Sequence, residues 1–411
     1  MRMAKSKIRV LHVISDLSVG GAEMMLVKLL ATTDKSQFEP IVLTLREGGS
    51  LASSIREQGI PVYSANIRHR LPSLFAFGRL VRLLRSIQPD LIHAWMYHSC
   101  LATLLANLLV NKPAIALWSI HDGTYSPALL KRLTRIIIRI CAPLSRLVDQ
   151  IVFVSHASRR PHLKLGYSLQ RSCVIPNGVN TSKFVPSVSA RDALRTELGL
   201  MNNAVLIGML GRYDAAKDHL NFLRAASELL KRSPDTHFVI AGTRVSFQNR
   251  ELCGSIRELG LSSRVHLLGE RYDMPRITAS LDILSLSSIS ESFPNVVAEA
   301  MSCEVPCVVT DVGDAALIVG DTGLVVPTKD PGALANAWQT LIDAGVEARG
   351  ALGAAARARV GENFELNSVT RRYENLYTSL VAATLAREAI RPAGEVSKFG
   401  FSTSFDDSGA Q

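Results

Sequence analysis

Leu281-Asp282-Ile283-Leu284-Ser285-Leu286, followed closely by Ser290-Glu291-Ser292-Phe293-Pro294-Asn295-Val296-Val297-Ala298-Glu299-Ala300-Met301, reads as a buried strand, a polar loop and a helix. A short apolar run bounded by turn residues suits a strand covered on both faces of a parallel sheet. Pro294 suits the first turn of the helix, where a missing N–H costs nothing. Glu291 then falls on the loop and Glu299 just over one turn into the helix, both facing the crevice at the strand end. Between them the free N–H groups of the first turn make an anion site. Carboxylates accept hydrogen bonds from sugar hydroxyls while a helix start holds phosphate, so the stretch suits a nucleotide sugar. Taken alone, the carboxylate pair is equally compatible with acid and base work of the hydrolase kind.

Working outward, the same alternation continues in both directions. Strands are expected at 9–15, 39–45, 61–65, 91–94, 115–119 and 151–155, and again at 205–210, 238–241, 265–268, 283–286, 306–310 and 323–326. Helical periodicity separates them at 22–31, 78–87, 220–231, 249–259, 295–302 and 331–344. Strand and helix in turn imply parallel sheets, and 411 residues exceed one comfortable core. The expected fold is therefore α/β, with two Rossmann-like domains facing across a cleft. A turn-rich connector, Val174-Ile175-Pro176-Asn177-Gly178-Val179-Asn180, places the boundary at about residue 180. The expected units are 1–180, 181–365, a terminal segment 366–392 with a long helix or a broken pair over 367–387, and a Ser/Gly/Asp-rich, disordered tail over 393–411.

Charge is distributed unevenly. Residues 1–185 hold 24 Lys+Arg against 9 Asp+Glu, and the remainder 22 against 27. The first half is thus expected to meet something anionic. No nucleic-acid-binding pattern accompanies the charge, so nucleic acid is not expected as a partner. In Arg79-Leu80-Val81-Arg82-Leu83-Leu84-Arg85 and Lys131-Arg132-Leu133-Thr134-Arg135-Ile136-Ile137-Ile138-Arg139, arginines interleave with aliphatic residues. Such helices lie in the headgroup region of an anionic membrane surface, though solvated surface helices would show the same pattern. No signal peptide or spanning segment is expected, and the six cysteines read as free thiols in a reducing cytoplasm.

Further residues add chemistry to the cleft. Gly20-Gly21, between the first strand and first helix, permits close approach of an anion to the helix start, although a tight turn alone would explain it. Arg212 and Lys217 follow the first strand of the second domain and can grip a diphosphate, one as a fork and one as a point charge. His121 follows a buried strand near the cleft, where it can contact the sugar or simply pair with Asp122. His93 and His98 flank Trp95-Met96-Tyr97 as acceptor-pocket candidates, against an ordinary structural role. No D-x-D-like pair or metal-ligand cluster is evident, so neither metal nor cofactor is expected.

Taken in order, Gly20-Gly21, Ile175-Pro176-Asn177-Gly178-Val179, Gly211-Arg212 with Lys217, and Glu291 to Glu299 resemble the retaining GT-B glycosyltransferases of family 4 (group 1 transferases) over about residues 8–382. The resemblance implies that Glu291 binds the donor sugar, Glu299 the ribose, Arg212 and Lys217 the diphosphate, and His121 the sugar. It makes the amides around Phe293, Asn295 and Val296 part of the donor site, and implies that the segment around Tyr373–Leu380 crosses back to the first domain. At Ala241-Gly242-Thr243-Arg244 relatives often have a second glycine, so the role of this loop is open. The implied activity is metal-independent transfer of a sugar, with retention, from a nucleotide sugar (a UDP-sugar) to a saccharide or polyprenyl-diphosphate-linked acceptor in polysaccharide or lipopolysaccharide synthesis. Its setting would be cytoplasmic, peripheral to the inner face of the membrane. A transferase with a soluble acceptor, a nucleotide-sugar epimerase and a non-catalytic binding protein are the alternatives.

Overall fold

The computed structural model describes residues 7–67, 74–122 and 132–390, so the expected tail over 393–411 lies outside the described residues. Thirteen strands form two parallel sheets among those residues. The first contains β1 (Ile8–Ile14), β2 (Phe38–Thr44), β3 (Val62–Ser64), β4 (Leu91–Trp95), β5 (Ile115–Ile120), β6 (Gln150–Phe153) and β7 (Ser172–Val174), in the order β3-β2-β1-β4-β5-β6-β7. The second contains β8 (Leu206–Leu210), β9 (His237–Ala241), β10 (Val265–Gly269), β11 (Ile283–Leu286), β12 (Cys307–Thr310) and β13 (Gly323–Val326), in the order β10-β9-β8-β11-β12-β13.

The apolar runs explain the layering. All four residues of β11 are buried, as are all five of β4 and of β8, because helices cover both faces of each sheet. In each sheet the winding direction reverses between two central neighbours, β1 and β4 in the first and β8 and β11 in the second. Loops after those strands diverge to opposite faces and leave a crevice, the place where open α/β sheets take ligands.

Three features go beyond the sequence reading. β7 is only three residues long and half-buried, too short for a periodic signal. The helix Gly345–Asn363 buries Arg349, Gly353, Ala356 and Val360, a face with one branched aliphatic side chain and therefore a weak apolar signal. A Cβ on Gly353 would stand 2.0 Å from the Glu304 carbonyl oxygen, which shows how close that helix comes. The terminal segment is one helix, Leu366–Ile390. Its Leu366, Val369, Tyr373 and Tyr377 join the core of the first sheet beside Met25 and Leu29. Thr32 and Thr370 hydroxyls meet at 2.6 Å, and the Asp34 N–H donates to Glu374 at 2.7 Å.

Candidate active site

The β8 and β11 loops are stitched together by hydrogen bonds. Asp214 accepts from Ala216 N–H at 2.9 Å and sets the short turn Ala215–Lys217. Ser287, just after β11, donates its hydroxyl to the Lys217 and Asp218 carbonyls at 2.9 and 3.2 Å, and Ile289 N–H donates to Ala216 O at 2.8 Å. Lys217 Nζ is thereby set 2.5 Å from Glu291 Oε1, which also accepts from Ser288 Oγ at 2.7 Å. Arg212 projects into solvent, with Asp214 3.5 Å away as its exposed partner. Such a pair contributes little and leaves the guanidinium available.

The helix Asn295–Ser302 spans the expected residues, and Pro294 occupies its capping position rather than the first turn. It has no side-chain cap, so its first-turn N–H groups have no capping side chain. Asn177, from the connector, donates to Asn295 Oδ1 at 2.9 Å. One turn further on, Glu299 meets Lys28 of the helix Gly21–Thr32 at 3.3 Å, and Lys28 also lies 3.5 Å from the Gly178 carbonyl. Phe293 turns inward against Phe364, ring centroids 5.5 Å apart, while Val296 is half-buried against the same core. Of the donor candidates, therefore, Arg212, Lys217, Glu291, Asn295 and Glu299 gather at the second switch point, and Phe293 supports them from behind.

The first switch point faces this cluster. Gly20 caps the helix Gly21–Thr32 with an extended backbone, and Glu23 folds over it so closely that a Cβ on Gly20 would lie 2.3 Å from Glu23 Oε2. Burial raises the Glu23 pKa, opposed by its own N–H. Around Gly21 the space is open. His121 sits just past β5, its Nε2 2.9 Å from Ser119 Oγ and its ring stacked on Trp95 at 4.9 Å. Burial pushes its pKa down to about 4, against an opposing influence from the Asn177 side chain. His121 Nδ1 and Asn177 Oδ1 have no hydrogen-bond partner among the described residues.

The acceptor candidates separate. His93 is fully buried on β4, 2.8 Å from the Tyr377 hydroxyl and stacked on Trp95, so the structure places it in the core beneath the cleft rather than on an acceptor surface. Burial holds its pKa well below the usual value. His98 is partly exposed, its pKa lowered by burial and then by Arg46. Sequence reasoning missed Lys28, Ser288 and the Asn177 side chain. Lys28 carries no local signal, since only folding brings residue 28 to residue 299; Asn177 was visible only as part of a turn-rich connector.

Two cations and a helix start can hold a diphosphate here, and two carboxylates can accept from hydroxyls on either side of it. Comparisons with known proteins give the chain's family and fold. Residues 19–183 match the family model described as Glycosyltransferase Family 4, and residues 204–344 match Glycosyl transferases group 1. The chain is 25% identical over 357 residues to the Escherichia coli UDP-Gal:alpha-D-GlcNAc-diphosphoundecaprenol alpha-1,3-galactosyltransferase, covering 84% of this chain and 90% of that protein. It is 30% identical over 219 residues to the lipopolysaccharide core biosynthesis mannosyltransferase LpsB of Rhizobium meliloti, covering 51% of this chain and 61% of the relative. The fold is similar to that of Anabaena Alr3699/HepE in complex with UDP, with a TM-score of 0.79 at 23% identity over 90% of this chain and 100% of that one. Sucrose-phosphate synthase from Thermosynechococcus elongatus gives 0.76 at 19% identity over 92% and 100%.

Proposed function

Because the chain belongs to the family 4, group 1 glycosyltransferases, we propose that it moves a sugar from a UDP-sugar to a saccharide or polyprenyl-diphosphate-linked acceptor, with retention of anomeric configuration. The observation that carries this reading is the Lys217–Glu291 pair at the second switch point, set beside an uncapped helix start and opposite Lys28–Glu299. Each carboxylate of the clamp is paired with a lysine. On binding, Lys217 turns to the diphosphate and frees Glu291 for the sugar hydroxyls; Glu299 reads the ribose. The lipid-linked acceptor of the E. coli relative supports the choice of acceptor.

In the reaction the bond from the anomeric carbon to the phosphate oxygen breaks, and a bond to the acceptor oxygen forms on the same face. The acceptor's hydroxyl proton passes to the leaving phosphate. Charge on the diphosphate rises as the bond breaks, and Arg212, Lys217 and the amides at Asn295 and Val296 stabilise it best at that point. His121, held neutral by burial, orients the sugar. Residues 1–180 would then form the acceptor and membrane side, and 181–365 the donor side. No metal is required in this scheme, so activity persists in EDTA. Screening nucleotide sugars for thermal stabilisation of the purified protein, followed by NMR of the product, tests the reading. It expects a UDP-sugar to stabilise most and an α-linked donor to give an α-linked product; a β-linked product contradicts retention.

A further inference from the structure

Asp314 lies on the loop after β12, in the half of the second sheet, yet its carboxylate is directed at the half of the first. His156 N–H donates to its Oδ2 at 2.8 Å and Ala157 N–H to its Oδ1 at 2.9 Å. These are the first two amides of the helix His156–Lys164, whose cap, Ser155, accepts from Ser158 N–H at 2.9 Å. A carboxylate bridging such amides satisfies orphan donors and complements the helix dipole. Asp314 is 7% exposed, so the contact is sheltered from solvent. Beside it, Ser155 Oγ meets Ser292 Oγ at 2.9 Å.

The other side of this loop presses on the donor clamp. Asp314 N–H donates to Ser292 O at 3.0 Å. Gly313 has φ +60°, and a Cβ there would stand 2.8 Å from Glu291 O and 2.7 Å from Ser292 O. Contacts therefore run from the helix His156–Lys164 through Asp314 and Gly313 to the backbone of Glu291 itself. The loop of Lys217, in contrast, is tied to β11 by Ser287 within the same half.

We propose that Asp314 is a positioning residue, a latch that joins the two halves and fixes the loop carrying Glu291 only while the cleft is closed. The proposal rests on the reading of Glu291 as the carboxylate that meets the sugar. Its consequence is a division of labour. Nucleotide binding depends on Arg212 and Lys217 whether or not the latch is made, whereas sugar recognition depends on closure.

Hydrogen exchange on the full chain tests the latch without any ligand. In Asp314→Ala, exchange at the His156 and Ala157 amides and over residues 288–295 should rise at least tenfold. Exchange over residues 212–217 and in β1 and β4 should stay at the wild-type rate. Asp314→Asn, which keeps one acceptor oxygen, should fall between the two and carries the test if the alanine variant does not fold. Calorimetry then compares UDP with UDP-glucose and UDP-galactose. UDP affinity should stay within about twofold of wild type in Asp314→Ala, while any gain in affinity from the attached sugar is lost. Unchanged exchange over 288–295, or an undiminished gain from the sugar, overturns the proposal. If wild type binds none of the three, the donor reading fails instead, and the exchange data still decide whether the latch exists.

Discussion

At the scale of single residues, the site depends on backbone approaches that only glycine permits. Gly242 sits at φ +149°, and a Cβ there would lie 2.1 Å from Gly211 O and 2.9 Å from Arg212 N. The loop whose role the sequence left open is therefore a wedge under the Arg212 turn, reinforced by Tyr213 N–H donating to Thr243 O at 2.9 Å. Arg244 takes a left-handed conformation at φ +65°, with its guanidinium 5.9 Å from the Tyr213 ring centroid. Gly242→Ala should cost at least about 2 kcal/mol in urea unfolding, since it combines a glycine-only conformation with a backbone clash. A loss below about 0.5 kcal/mol would show that the loop can move aside, and the wedge would not exist. Arg212, Lys217, Glu291 and Glu299 were legible because each follows a strand end in a readable pattern. Lys28 and Asn177 were not, because their roles arise from contacts 271 and 118 residues away in the chain.

At the scale of elements, two arginine-bearing helices looked alike in sequence but differ in the fold. Leu74–Ile87 exposes Arg79, Arg82 and Arg85 while burying Leu80, Leu84 and Ile87, and its one large apolar side chain found exposed among the described residues, Phe75 (91%), stands at the helix start, away from those arginines. Arg132–Leu144 instead leaves Leu133 (60%), Ile136 (48%) and Ile140 (44%) exposed beside Arg132 and Arg139. Exposed aliphatic residues ringed by arginines match the requirements of a headgroup region far better than arginines alone. The periodic pattern supplied both helices but could not tell which face the core would cover. Membrane contact is accordingly proposed for Arg132–Leu144. Replacing Ile136 and Ile140 together by Ser should reduce co-sedimentation with anionic vesicles several-fold, and replacing Arg79, Arg82 and Arg85 should do less. The reverse order would move the docking face to the other helix. Among the described residues no helix is long and apolar enough to cross a membrane.

At the scale of the molecule, two parallel sheets follow from the alternating pattern, whereas the order of their strands does not, and β7 and Gly345–Asn363 lacked an apolar period to announce them. Folding also buries several histidines in the neutral form. Burial lowers His12 to about 3 and His121 and His219 to about 4, with Lys217 adding to the effect at His219. Between pH 6.5 and about 4 the unfolded chain binds protons at these positions that the folded chain does not. Stability should therefore fall as pH drops through that window, by at most roughly 3 kcal/mol per histidine. Urea unfolding at pH 7 and pH 5 checks the sign, and equal midpoints would contradict it. The central claim is that the cleft is a donor site whose diphosphate grip is Arg212 and Lys217. Calorimetric titration of UDP into wild type and the Arg212→Ala, Lys217→Ala double variant tests it most directly. Wild type should bind UDP and the folded double variant should lose at least 100-fold in affinity, as expected for removing two charge-assisted contacts of about 1.5 kcal/mol or more each; equal affinity in the two proteins would contradict the account.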